Sequence, residues 1–197
     1  MNIKIPASDD IKTTIDFASV FKLFNDELAA HNESLELICA GGYVLQMHGF
    51  RGTADVDAFF YSNKTIDAII RKVGEIYGIN TPTELWLNNS LSNMNPKPPE
   101  VFCTLVHQFS NLTVMAVDLI YLVGMKLTSA RGQDIKDVAE IIKSTSEKQP
   151  FELSRKLTEM GFQVDISVLL DAYGDAMGMA WLEQFYSENE HKLTGLF

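Results

Sequence analysis

The stretch from Leu35 to Tyr61, LELICAGGYVLQMHGFRGTADVDAFFY, constrains the fold more than any other part of the chain. Leu35 to Ala40 is an apolar run of strand length that stops at a glycine pair, Gly41-Gly42. Tyr43 to His48 then predicts about two turns of helix with Gly49 as the stop, since glycine readily takes the left-handed conformation that ends helices. Ala54 to Tyr61 predicts a second strand. Residues two apart on a strand point to the same side, so Asp55 and Asp57 project together with their oxygens close.

Around this segment the apolar spacing predicts an α+β chain. Residues 10–31 predict an amphipathic helix from Ile11, Ile15, Ala18, Phe21 and Leu28. Lys64 to Tyr77 predicts another, with Ile66, Ile69, Ile70, Val73 and Ile76 on one face and Gly78 closing it. Residues 80–99 hold four of the six prolines and many asparagines, and predict a loop of the kind used as a lid or binding loop. Strands are expected over 101–107 and 112–117, with Ser110-Asn111 as the turn. Helices are expected over 118–130, 134–143, 151–160 and from 166 to about 190 in one or two pieces. The expected fold is a small mixed β-sheet with packed helices and a helical C-terminal region. Residues 1–117 would form the α/β core with its N-terminal helix, and 118–197 a helical region packed on it as a single unit.

Charge and cysteine usage remove several function classes. With 16 Lys and Arg against 26 Asp and Glu, the net charge of −10 disfavours a broad DNA-binding surface, because nucleic-acid affinity comes largely from basic side chains displacing counterions. A local basic pocket for a nucleotide stays open. Cys39 and Cys103 form no CxxC pair, which suits a reducing, cytoplasmic setting, and no apolar run reaches membrane-spanning length. The chain has no GxxxxGK[ST], GxGxxG, HExxH or GxSxG motif, so P-loop, Rossmann, zinc-protease and hydrolase-elbow chemistries lack their residues.

Two neighbouring carboxylates repel, and a cation between them removes the repulsion. Their hard oxygens suit Mg²⁺ or Mn²⁺, which draw the rest of their shell from water and phosphate. Glycines at a strand-to-helix bend let backbone N–H groups approach an anion. The same residues also have plain structural readings, the glycines as a tight turn and the acids as a solvated strand edge.

In order, Gly41, Gly42, Gly49, Arg51, Thr53, Asp55 and Asp57 resemble the signature of the nucleotidyltransferase superfamily with the DNA polymerase beta-like fold. Within it, the chain looks most like small bacterial members related to the toxin nucleotidyltransferases of abortive-infection systems. A second stretch, MKLTSARGQDIKDV, with Lys126, Arg131, Asp134 and Asp137, resembles the helix pair that follows the core in those proteins. The resemblance implies transfer of a nucleoside monophosphate from a nucleoside triphosphate to an acceptor hydroxyl, with Mg²⁺ or Mn²⁺. Asp55 and Asp57 would be its ligands, and Gly41, Gly42, Arg51, Thr53, Lys126 and Arg131 would contact the nucleotide. The acceptor would be a protein, a small molecule or an RNA end, and a toxin–antitoxin partnership is a further implication. Asp134 also reads as a helix cap, Lys126 as a surface lysine, Arg51 as the partner of a nearby acid, and Thr53 as a turn residue. The third carboxylate usual in such enzymes has no counterpart on the strand at 101–107, which leaves Asp118 as the candidate base and Glu100 as a weaker one. A catalytically inactive nucleotide-binding or protein-interaction module of the same fold is the alternative.

Overall fold

A computed structural model describes residues 15–93 and 96–193. Ile11, part of the predicted first helix, lies outside them. The chain forms two compact units, one running to Lys97 and including Leu105–Met115, the other comprising Pro98–Thr104 and the chain from Ala116 onward.

In the first unit the element order is α1 (Phe17–Ala30), β1 (Leu35–Ala40), α2 (Gly41–Met47), β2 (Val56–Phe59), α3 (Lys64–Tyr77) and β3 (Leu87–Asn88). With β4 (Cys103–Gln108) and β5 (Leu112–Val117), whose far ends belong to the second unit, the strands form one sheet in the order β3-β2-β1-β5-β4. β1 and β2 are antiparallel while β2 and β3 are parallel, so the sheet is mixed, as expected. Both long helices of this unit start at a side chain that satisfies otherwise unpaired N–H groups. Asp16 accepts from Ala18 and Ser19 ahead of α1, and Asn63 accepts from Thr65 and Ile66 ahead of α3. Gly78, at φ 64°, closes α3 as predicted. Ile66, Ile69, Ile70 and Val73 of α3 and Val20, Phe21, Phe24 and Leu28 of α1 bury against Leu37, Cys39, Val56 and Ala58 of the sheet. Ile76 departs from the predicted face and is exposed.

The segment at 80–99 is largely loop, as expected, with a short edge strand and a 3₁₀ turn inside it. Trp86 within it is fully buried, its rings against Phe17, Phe21 and Phe24, and its indole N–H donates to the Ile70 carbonyl at 2.8 Å. That anchor brings Leu87 and Asn88 alongside β2 as an edge strand, and Ser90–Asn93 follows as a 3₁₀ turn. A strand of two residues has no alternation to detect, so its signal was absent from the sequence.

The second unit carries α4 (Leu119–Ser129), α5 (Gly132–Ser144), α6 (Pro150–Glu159), α7 (Ile166–Met177) and α8 (Met179–Leu193). Gly178, at φ 92°, divides the predicted last helix into two. A 3₁₀ turn over Glu100–Phe102 delays the strand expected from Val101 until Cys103. Among the described residues no helix is long and apolar enough to cross a membrane.

Candidate functional site

The register of β1 on β2 sets Ala40 opposite Asp57, so the glycine bend that follows β1 lies beside the aspartate. Gly41 has φ 60°, and a β-carbon there would stand 2.7 Å from Asp57 Oδ2. A β-carbon on Gly42 would stand 2.8 Å from Thr53 Cβ. Both glycines are therefore required by the close approach of α2 to the Thr53–Asp57 segment, whatever else they do. Asp57 lies within β2 and Asp55 one residue ahead of it, both half-buried. Asp55 Oδ1 accepts a hydrogen bond from Thr53 Oγ1 at 2.8 Å. The Thr53 N–H donates to Gln46 Oε1 at 2.9 Å, and Gln46 Nε2 donates to the Ile15 carbonyl at 2.8 Å. Arg51 is exposed, with its guanidinium 3.5 Å from the Gly52 carbonyl.

Two neighbours of the aspartates escaped the sequence reading. Burial first, then the charge of Asp57, pushes the Cys39 thiol far above its ordinary range, so it stays protonated and inert. Asn88 of β3 is the register partner of Asp57, and its Oδ1 accepts from the Ser90 N–H at 3.2 Å and from Ser90 Oγ at 2.7 Å. Nothing distinguishes Asn88 in its asparagine-rich surroundings until β3 is seen to pair. The Asp55–Asp57 donor set is two carboxylates without thiolate or imidazole, which fits a hard divalent cation completing its shell with water and phosphate. Among the described residues, no three His, Cys, Asp or Glu side chains gather as a metal-binding group. A cavity of about 740 Å³ in the same unit lies at the other end of β1 and β2, lined by Leu35, Glu36, Phe59 and Tyr61 among others, away from the aspartates.

In the second unit, Lys126 is buried and donates to Asp134 Oδ1 at 2.8 Å and to Asp137 Oδ2 at 2.7 Å. Asp134 also accepts from Ser129 Oγ, and Asp137 accepts from Gln133 Nε2 at 2.9 Å. Burial raises the Asp134 carboxyl, but hydrogen bonds from Lys126 and Ser129 and the charges of Lys126 and Arg131 outweigh it and hold the group below its ordinary value. The capping expected of Asp134 is corrected by this geometry. The helix starts earlier, at Gly132 behind Arg131 as cap residue, and the carboxylate turns to Lys126 and Ser129 instead. Arg131 is 73% exposed and stands 3.5 Å from Asp134. Asp118 occupies the cap position of α4 without making a side-chain cap, its Oδ1 accepting from Thr104 Oγ1 at 3.0 Å.

A mixed sheet bearing an aspartate pair against a glycine bend, followed by helices, defines an α+β protein of the nucleotidyltransferase type. The chain belongs to the family described as "Nucleotidyltransferase of unknown function (DUF6036)", whose model matches residues 16–159, from the cap of α1 through α6. No curated protein and no solved structure matches it.

Proposed function

We propose that the protein is a metal-dependent enzyme that moves a nucleoside monophosphate from a nucleoside triphosphate to an acceptor hydroxyl. Asp55 and Asp57 hold Mg²⁺ or Mn²⁺, and the backbone at Gly41-Gly42 faces the triphosphate. A divalent cation at this position neutralises phosphate charge. Thr53 orients Asp55, and Arg51 contacts phosphate oxygens. The acceptor oxygen bonds to the α-phosphorus as the bond to pyrophosphate breaks, and the hydroxyl proton passes to water. Lys126, with two carboxylates on its buried ammonium, is assigned to holding α4 on α5 rather than to the nucleotide. The observation that carries the reading is the close approach of Gly41 to Asp57 Oδ2 in a chain of this family. The acceptor is a protein, a small molecule or an RNA end, a choice that the net acidity favours over long DNA.

The test is Mg²⁺-dependent binding of ATP, GTP, CTP and UTP to the wild type and to an Asp55→Asn, Asp57→Asn double variant. We expect at least one nucleotide to bind the wild type and to lose tenfold or more in the variant, on the order expected for lost metal ligation. Equal binding, or none to either protein, overturns the proposal. A second reading, a module that binds nucleotide without transferring it, draws on the lack of a three-residue metal group among the described residues. Binding without pyrophosphate release across candidate acceptors would favour it.

A further inference from the structure

We propose that Gln46 is a positioning residue that presets the Asp55 carboxylate by holding Thr53. The inference rests on the cation role given to Asp55 above. Between the end of α2 and the start of β2, the chain passes through Gly49 and Gly52 without regular structure, so it needs an external tie to place Thr53. Gln46 supplies that tie with both ends of its amide. Its oxygen faces an N–H, which can only donate, and its nitrogen faces the Ile15 carbonyl, which can only accept, so one amide orientation satisfies both. From the backbone so held, Thr53 Oγ1 donates to Asp55 Oδ1 at 2.8 Å. The bond uses one lone pair of Oδ1 and leaves Oδ2 for a cation. Gly42 packs on Thr53 Cβ, which closes the space into which the threonine would otherwise turn.

The chain of bonds runs from Ile15 through Gln46 and Thr53 to Asp55. Outer partners that orient a ligating carboxylate commonly change metal affinity by about 10–100-fold. Mn²⁺ titration followed by electron paramagnetic resonance reads that affinity without any turnover. Gln46→Met keeps the side-chain length and removes both hydrogen bonds, and Thr53→Val removes the hydroxyl alone. We expect each to weaken Mn²⁺ binding about tenfold. The combined variant should weaken it no further than either single one, because the two act in series. Melting temperatures should stay within a few degrees of the wild type, and the Thr53 amide proton should exchange faster in Gln46→Met. Wild-type Mn²⁺ affinity in Gln46→Met, alongside a loss in Asp55→Asn, overturns the role of Gln46 and leaves the proposed function standing. Fully additive losses in the combined variant also overturn it. Absence of Mn²⁺ binding to the wild type removes both proposals together. If Gln46→Met fails to fold, Thr53→Val carries the decision, and an unchanged affinity there rejects the relay.

Discussion

Two pairs of aspartates, each with the members a few residues apart, have opposite surroundings in the two units. Asp134 and Asp137 close on the ammonium of Lys126, are topped up by Ser129 and Gln133, and sit largely out of water. Asp55 and Asp57 stand half-exposed against a glycine bend, and Asp55 is steadied by a hydroxyl. A carboxylate pair with its cation built in is a clamp between helices. The other pair lies beside a glycine bend, with Asp55 held by the Thr53 hydroxyl, and is the pair we propose to take up a divalent cation. The contrast teaches that an acid's surroundings are set by the groups that the fold brings to it, which residue type and spacing alone do not reveal.

The contrast is sharpest if the clamp is broken. Lys126→Met leaves the buried Asp137 and the half-buried Asp134 without their ammonium, and should cost about 3–5 kcal/mol of folding stability, read from the denaturant midpoint. Adding Asp137→Asn to that variant should return part of the loss. Gly42→Ala places a methyl against Thr53 and should cost about 1–3 kcal/mol in thermal unfolding while also weakening Mg²⁺-dependent nucleotide binding. Asp57→Asn should do the reverse of Lys126→Met, costing less stability than that variant yet weakening Mg²⁺-dependent nucleotide binding about tenfold or more. A large stability loss in Asp57→Asn would make the two pairs alike and end the comparison.

Acid titration separates the pairs more gently. The Asp134 carboxyl is held below its unfolded value, so it binds fewer protons in the folded state and contributes stability above about pH 4. That contribution is lost as pH falls through the lower, folded value. The stability difference between wild type and Asp134→Asn should therefore shrink as pH is lowered from about 6 to about 3. The smallest effect is expected at the junction of α4 and α5. Ala130 takes φ 49° there, and Ala130→Gly should gain about 0.5–1 kcal/mol by relieving the left-handed conformation.

Much of the first unit was legible because its signals are local. The apolar run at Leu35–Ala40, the stops at Gly49 and Gly78, and the α3 stripe from Ile66 to Val73 each declare themselves within a few residues. What escaped depends on distant partners. Trp86 reads as one aromatic in a polar stretch until Ile70 and the α1 phenylalanines surround it. Gln46 reads as a surface glutamine on a short helix until Ile15 and Thr53 are found on either side of its amide. In the second unit, Asp134 looked like a cap because helix starts attract acids. The chain reversal at Ala130-Arg131 then delivered an ammonium from α4, and an ion pair out of water outcompeted an exposed cap.

The order of residues alone determined the class of fold and the glycine bend that follows β1, since backbone periodicity and glycine's freedom act over a few bonds. Tertiary structure decided the rest: which aspartates meet an ammonium and which meet a glycine bend, and that a glutamine links α2 to Asp55. Those outcomes hinge on oxygen and nitrogen atoms arriving within about 3 Å of one another from separate elements, and hydrogen bonds weaken quickly beyond that reach.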